Sequence, residues 1–219
     1  MEMAIRQIME NKIIVIVRGV FGEKLIALAE AMYEGGIRLI ECTYDASQTV
    51  SDREIAENIA QLSRRFQRRM LVGAGTVLTE HQVELTKAAG GAFIISPDAN
   101  PKVIRRTKEL GMISIPGAIT PTEIAMASRE GADFVKVFPV NLYGPSYIKT
   151  LRAPLSHVRM LAVNGISEDN MWDYLEAGAC GVGVGSGIVN KRMIENNDFV
   201  GIAALARKYT EKINRRNEQ

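Results

Sequence analysis

The chain alternates from end to end between short apolar, β-branched segments and longer segments with helical periodicity. After an opening helix around residues 4–10, eight segments have the composition of buried strands: 13–18, 39–43, 71–73, 92–96, 113–116, 134–138, 160–163 and 181–185. Glycines that can end a helix precede several of them, as at Gly35 and Gly178. Strands that alternate with helices predict a parallel sheet with right-handed crossovers.

Eight strand–helix units match a closed (β/α)₈ barrel, the TIM barrel, and 219 residues is close to the lower limit for that fold. The alternative is an open doubly wound sheet. Gly183 and Gly185 resemble part of a dinucleotide-binding pattern, but they lie in the last strand rather than in the first βα unit. No linker or break in composition divides the chain. Residues 1–219 are therefore predicted to form one α/β barrel domain with a short N-terminal helix.

Composition excludes several classes of protein. With 47% apolar residues and a net charge of +2, the chain has an ordinary globular composition. No segment approaches the roughly 20 apolar residues of a membrane helix, and no signal-peptide pattern opens the chain. Cys42 and Cys180 lie far apart in apolar segments, which favours buried, reduced thiols. We expect a cytoplasmic protein without a membrane partner.

The sequence predicts neither a histidine-centred metal site nor a nucleic-acid-binding segment. The only histidines, His81 and His157, have no partner at metal-ligand spacing, so no histidine-centred metal site is expected. The basic residues near the end of the chain, 212–216, lack the interleaved aromatic residues that stack on bases. The expected partner is a small-molecule substrate.

Barrels of this type carry their chemistry at the C-terminal ends of the strands. Residues suited to binding or catalysis fall at those ends: Arg18, Glu41, Thr76, Pro97, Lys136, Gly165, Gly185 and Ser186. By strand alternation, Lys136 shares a face with Phe134 and Phe138. A strand covered by helices has no solvated face, so Lys136 and Glu41 must point into the barrel or pair with each other.

The two buried charges allow a structural ion pair or a catalytic pair. A lysine nucleophile must first lose its proton, and at a pKa of ~10.4 only about one amine in 2,500 is neutral at pH 7. Apolar neighbours and a nearby Arg18 would lower the pKa of Lys136 through desolvation and charge repulsion. The iminium formed with a 2-keto acid accepts electrons, so the C3–C4 bond can break while Glu41 transfers the protons.

Other strand-end residues suit the binding of anions. Arg18 and Thr76 together can bind the carboxylate of a keto acid, although Thr76 is nearly as well explained as a helix N-cap and Arg18 as a surface charge. Gly165, Gly185 and Ser186 can bind phosphate through backbone N–H groups, or can simply form tight turns.

Six ordered motifs carry a resemblance to a known family: residues 35–43 (GGIRLIECT), 72–78 (VGAGTVL), 94–97 (IISP), 115–117 (IPG), 135–139 (VKVFP) and 182–186 (VGVGS). The chain resembles the 2-keto-3-deoxy-6-phosphogluconate (KDPG) and 4-hydroxy-2-oxoglutarate (KHG) aldolases nearly end to end. The resemblance implies a homotrimer of class I aldolase barrels that needs neither metal nor cofactor. It implies cleavage of a phosphorylated 2-keto-3-deoxy acid or KHG to pyruvate plus glyceraldehyde 3-phosphate or glyoxylate.

By position in these motifs, Lys136 takes the Schiff-base role and Glu41 the acid/base role. The resemblance likewise places Thr76 and Phe138 in the substrate pocket, and Ser186 at the phosphate. Pro97 ends the fourth strand inside a matching motif and is included with the substrate-binding residues.

Three departures from the family pattern bear on the substrate. Asp45 stands where some relatives have an arginine, and Arg18 is expected to substitute for it. Many relatives end the seventh strand Pro-Thr-Gly-Gly, whereas Val163 and Asn164 replace the threonine and the first glycine here. Val163 lacks a hydroxyl, as in the phosphogalactonate-cleaving branch. Asn164 tolerates positive φ but narrows the approach to Gly165, so we expect less dependence on phosphate.

Three other functions remain open. They are an aldolase for another, non-phosphorylated 2-keto acid, a phosphate-binding isomerase in which Lys136 acts only electrostatically, and a catalytically silent barrel. The joint presence of Lys136, Glu41, Arg18 and Thr76 at strand ends favours an aldolase over the last two.

Overall fold

The computed structural model describes residues 1–217. Its strands are β1 (Ile13–Val17), β2 (Leu39–Thr43), β3 (Leu71–Gly75), β4 (Phe93–Ile95), β5 (Ile113–Ile115), β6 (Gly117–Ala118), β7 (Val135–Val137), β8 (Met160–Val163) and β9 (Gly181–Val184). Its helices are α1 (Glu2–Asn11), α2 (Gly22–Glu34), α3 (Asp52–Phe66), α4 (Glu80–Ala88), α5 (Pro101–Glu109), α6 (Pro121–Arg129), α7 (Pro145–Arg152), α8 (Met171–Glu176), α9 (Lys191–Glu195) and α10 (Phe199–Asn217).

The sheet closes into a barrel through one bent strand. Its order is β5-β4-β3-β2-β1-β9-β8-β7-β6, so the two outermost strands are consecutive in the chain and only Pro116 separates them. Proline has no N–H to donate to a ladder, which explains the interruption at this point. The Pro116 carbonyl accepts a hydrogen bond of 2.8 Å from the Lys136 N–H. The predicted (β/α)₈ barrel with its N-terminal helix is confirmed, with the fifth strand divided in two.

Two apolar layers hold the barrel together, one outside the strands and one inside. The outer layer joins strands to helices through residues such as Leu28 and Ile59. The inner layer fills the barrel with large side chains, among them Phe93 and Phe134, and Ile8 of α1 packs against it. Burying each such side chain contributes about 1.5–3 kcal/mol. The barrel interior is therefore apolar, and its polar groups gather at the C-terminal ends of the strands.

Helix caps fix where several loops end. Thr79 with Gln82 and Thr120 with Glu123 form capping boxes, in which each side chain accepts a hydrogen bond from the backbone N–H of the other residue. Because Thr79 caps α4, the interpretation of Thr76 as a helix N-cap is wrong.

No helix of residues 1–217 combines the length and hydropathy needed to cross a membrane.

Candidate active site

A cavity of about 320 Å³ opens at the C-terminal ends of the strands. Every residue that the sequence analysis selected lines it: Arg18, Glu41, Thr76, Pro97, Lys136, Phe138, Val163, Asn164, Gly165, Gly185 and Ser186. The fold thus brings together segments that lie up to 168 residues apart along the chain (Arg18 to Ser186). Their catalytic and binding roles remain predictions.

Lys136 lies at the centre of β7 and is buried, with 8% of its surface exposed. Its Nζ lies 4.6 Å from the centroid of the Phe138 ring. Burial lowers the pKa of Lys136; attraction to Glu41 opposes this effect, and repulsion from Arg18 adds to it. A lowered pKa increases the fraction of neutral amine, the form that attacks a carbonyl carbon.

Glu41 lies on β2 with 2% of its surface exposed, and its buried Oε2 atom has no hydrogen-bond partner in the described part of the chain. Burial raises the pKa of Glu41, while the charges of Lys136 and Arg18 and the nearby Thr43 hydroxyl lower it in part. A carboxyl group with a raised pKa holds a proton more readily than an exposed one and can still release it during the reaction. The environment of this residue therefore suits acid/base work.

The Glu41 carboxyl group lies over Gly75 of the neighbouring strand. Glu41 pairs in register with Gly73, so its side chain extends along β3 by two residues to reach Gly75. A Cβ atom added at Gly75 would lie only 1.9 Å from Glu41 Oε1. The carboxyl group can occupy this position only because residue 75 has no side chain. Gly75, the second glycine of the 72–78 motif, therefore makes room for the acid/base candidate.

Arg18 and Thr76 meet at the mouth of the cavity. The Arg18 Nη2 donates a hydrogen bond of 3.1 Å to Thr76 Oγ1. Thr76 has a φ of 55°, a left-handed conformation that is rare for a β-branched residue. Strained backbone of this kind is concentrated at functional sites. The guanidinium and the hydroxyl are placed side by side, as the binding of a carboxylate requires.

The loop after β8 forms another wall of the cavity. Asn164 has a φ of 89° and Gly165 a φ of 69°, so the prediction that asparagine would tolerate the turn is confirmed. Gly165 is also constrained by packing, since a Cβ atom there would lie 2.5 Å from the Cβ of Asn141. Among the described residues, the backbone N–H groups of Gly165 and Ser186 have no acceptor. These donors are available to an anionic ligand.

Sequence reasoning missed three residues that line the cavity: Ile16, Ile166 and Gly183. Ile16 precedes Arg18 by two positions, so strand alternation could have identified it. Gly183 lies against Val163, whose Cγ2 would be 2.9 Å from an added Cβ, and no sequence signal marks that contact. Within residues 1–217, no three His, Cys, Asp or Glu side chains are grouped to hold a metal ion.

The cavity at the C-terminal end of the (β/α)₈ barrel contains a buried lysine with a lowered pKa and a buried carboxyl group. This arrangement is typical of barrel lyases that act through a lysine Schiff base. The comparison with known families agrees. Residues 5–205 match the model of the KDPG and KHG aldolases, and the chain belongs to that family. It is a class I aldolase, a carbon–carbon lyase.

Individual relatives refine this assignment. The chain is 37% identical to a "probable 2-dehydro-3-deoxy-6-phosphogalactonate aldolase" of Rhizobium meliloti, over 84% of this chain and 85% of the relative. It is 36% identical to a 2-dehydro-3-deoxy-phosphogluconate aldolase of Treponema pallidum, over 84% and 85%. Among solved structures, a KDPG aldolase from Legionella pneumophila matches with a TM-score of 0.81 and 27% identity, over 90% of this chain and 93% of that one. That structure contains pyruvate captured as a covalent carbinolamine intermediate.

Proposed function

We propose that this chain cleaves a 2-keto-3-deoxy-6-phosphoaldonate of the gluconate or galactonate type, or KHG, to pyruvate and an aldehyde. Lys136 forms the Schiff base and Glu41 transfers the protons. The observation that carries the proposal is that these two buried groups face one cavity, with burial lowering the pKa of the lysine and raising that of the carboxyl group.

The first half of the reaction joins substrate to enzyme. The keto acid's carboxylate binds between Arg18 and Thr76, which directs C2 toward the amine. Neutral Lys136 attacks C2 to form a carbinolamine. Glu41 donates a proton to the carbinolamine hydroxyl, which leaves as water and produces the iminium. Burial lowers the pKa of Lys136 and so favours the neutral amine that begins this sequence.

The second half breaks the carbon–carbon bond. Glu41, now a carboxylate, accepts the proton of the C4 hydroxyl as the C3–C4 electron pair moves into the iminium. The aldehyde leaves and an enamine remains on Lys136. Glu41 returns its proton to C3. Water then hydrolyses the iminium, the proton released goes to Glu41, and pyruvate and the neutral lysine are set free. The iminium acts as the electron sink throughout, which is the part a metal ion plays in other aldolases.

Which aldehyde the reaction releases depends on the residues that form the outer wall of the cavity. Relatives named for galactonate-derived and for gluconate-derived substrates are almost equally similar, at 37% and 36% identity. Val163 offers no hydroxyl to the substrate's C4 or C5 hydroxyl, which favours weak discrimination or the galactonate type. The backbone donors of Gly165, Gly185 and Ser186 suit a terminal phosphate, whereas Asn164 narrows the approach to them.

We also propose a homotrimer in the cytoplasm. Leu142 and Tyr143 lie just beyond β7 with 71% and 52% of their surfaces exposed, and a subunit contact would cover them. Cys42 and Cys180 are free thiols whose pKa values are raised by burial, to about 12 and about 11, which suits a reducing compartment. Sedimentation velocity would test the trimer, and a monomer at every concentration would contradict it.

Borohydride trapping tests the Schiff base. Wild-type protein incubated with pyruvate and borohydride should gain one reduced pyruvate adduct, located by peptide mass analysis on Lys136. Lys136→Ala should gain none. Lys149→Ala, which removes an exposed lysine of α7, should be labelled like wild type. Absence of an adduct in wild type, or an equal adduct in Lys136→Ala, would contradict the mechanism.

Chelation separates this mechanism from that of metal-dependent aldolases. Activity should survive strong chelators, because the iminium needs no Lewis acid. Activity lost to a chelator and restored by zinc would contradict the proposed chemistry.

A further inference from the structure

The hydroxyl of Thr43 is a buried polar group to which the mechanism above gives no part. Thr43 ends β2, two residues after Glu41, and only 4% of its surface is exposed. Within residues 1–217, its Oγ1 has no hydrogen-bond partner, and neither does Glu41 Oε2. A buried hydroxyl without a partner destabilises the folded protein. Two such atoms on one strand, both beside the site, call for an explanation.

The strand register places these two atoms near each other. Glu41 and Thr43 point to the same face of β2 because side chains alternate along a strand. Thr43 pairs with Gly75, the residue over which the Glu41 carboxyl group lies. The carboxyl group therefore reaches the level of Thr43 along the barrel wall. The residues that line the cavity include Glu41 but not Thr43, so the hydroxyl stands behind the carboxyl group rather than against substrate.

We propose that Thr43 is a positioning residue whose hydroxyl holds the Glu41 carboxyl group during proton transfer. The Thr43 hydroxyl already acts on this carboxyl group, because it helps to lower the pKa of Glu41. The inference rests on the proposed function, since it assigns a support to the acid/base group of that same site.

A hydroxyl suits this position because it can both donate and accept. It donates to Glu41 when the carboxyl group is charged, and it accepts from Glu41 when the carboxyl group carries the catalytic proton. No proton passes to Thr43 in either state. The carboxyl group is faced by Lys136 from β7 and by Arg18 from the end of β1, and Thr43 adds a neutral contact from its own strand. Glu41 can therefore change charge without changing orientation.

The test compares Thr43→Val, which removes the hydroxyl but keeps the shape, with Thr43→Ser, which keeps the hydroxyl and loses a methyl group. Exchange of the pyruvate methyl protons with deuterium in D₂O, followed by NMR, reports proton transfer at C3. This reaction needs only pyruvate, so it does not depend on the identity of the natural aldehyde. Borohydride trapping on the same samples reports imine formation, and thermal unfolding reports stability.

Thr43→Val should slow exchange by about tenfold, because the carboxylate loses a charge-assisted hydrogen bond. The pH dependence of its exchange should shift upward, since the hydroxyl helps to lower the pKa of Glu41. Trapping at saturating pyruvate should change little. The melting temperature should equal or exceed that of wild type, because a buried polar group is removed. Thr43→Ser should exchange within about twofold of wild type, since it keeps the hydrogen bond.

A purely structural threonine would give a different pattern. Loss of stability and activity together in both variants, or equal losses of exchange in Thr43→Ser and Thr43→Val, would overturn the proposal, as would an unchanged rate and pH profile in Thr43→Val. Wild type that forms no pyruvate imine would contradict the proposed function, and the role of Thr43 with it. Wild type that exchanges normally while Thr43→Val is unaltered would contradict only the role of Thr43.

Discussion

The cavity has two halves that are built in different ways. The strand half is formed by Glu41 and Lys136, and the loop half is formed by residues 163–165 with Gly185 and Ser186. The strand half uses buried side chains fixed by ladder pairing on both sides. The loop half uses backbone N–H groups, with positive φ at Asn164 and Gly165, and the side chains of Asn164 and Ser186 are exposed. Buried strand residues cannot change without disturbing the core, whereas turn residues can.

This difference explains why the strand half identifies the family, whereas the substrate depends on the loop half. The charges of the strand half are expensive to bury, so they are retained only where chemistry needs them. In the proposed function, the loop half contacts the distal part of the substrate, and a small change such as Asn164 in place of a glycine alters that contact. Substitutions in the strand half should therefore have larger effects than substitutions in the loop half.

Replacing the acid/base candidate should have the largest effect. Glu41→Gln keeps size and hydrogen bonding but cannot transfer a proton, so kcat should fall by about 10²–10⁴-fold. Pyruvate binding and folding should be retained, because the amide fits the same space. Steady-state kinetics with KDPG and circular dichroism would check both points. Near-normal turnover would assign the proton transfers to another group.

Two glycine substitutions compare the halves directly. Gly75→Ala places a Cβ 1.9 Å from Glu41 Oε1, so the carboxyl group must move. The kcat should fall by about 10²-fold, which is the loss expected when an active-site group is displaced by about 1 Å. Gly185→Ala is the matched change in the loop half, where an added Cβ has no neighbour within 4 Å. It should leave kcat close to that of wild type and raise KM modestly. Equal kcat losses in both variants would remove the distinction between the halves.

The sequence was most informative where a residue conflicts with its surroundings. Lys136 and Glu41 stand out because charges are rare in strands that helices cover, and Asn164 because asparagine tolerates positive φ. The break at Pro116 and the contact between Asn141 and Gly165 were not predicted. Each depends on how distant segments pack, which the periodicity of a single segment does not report. The roles of the site residues rest on motif position and chemistry, and they stay predictions.

The charge of Arg18 should affect both binding and the lysine. Arg18→Met removes the carboxylate partner, so the KM for the keto acid should rise by about tenfold or more. It also removes the repulsion that helps to lower the pKa of Lys136. The apparent pKa of imine formation, followed by borohydride trapping at saturating pyruvate across pH, should therefore move upward.

Arg192→Met is the matched control for Arg18→Met. It makes the same change in net charge at a residue that lines an adjoining cavity but not the one containing Lys136. Its pH dependence should match that of wild type. An unshifted profile in Arg18→Met, or the same shift in both variants, would show that Arg18 does not act on the lysine locally.

The smallest effect is expected at Asn164, where the loop half departs from the family pattern. Asn164→Gly keeps the positive φ and removes the side chain that narrows the approach to Gly165 and Ser186. The ratio of kcat/KM for a phosphorylated over an unphosphorylated 2-keto-3-deoxy acid should rise by about threefold, equivalent to roughly 0.7 kcal/mol.

Asn164→Ala separates the effect of the amide from that of the backbone, because it removes the amide but keeps a Cβ that disfavours positive φ. If the amide is the obstacle, the alanine variant should gain phosphate preference and lose stability, whereas the glycine variant should gain preference alone. An unchanged ratio in both variants would show that the side chain does not obstruct phosphate. Failure of wild type and both variants to cleave any phosphorylated keto acid, with pyruvate imine formation intact, would place the natural substrate outside the sugar phosphates.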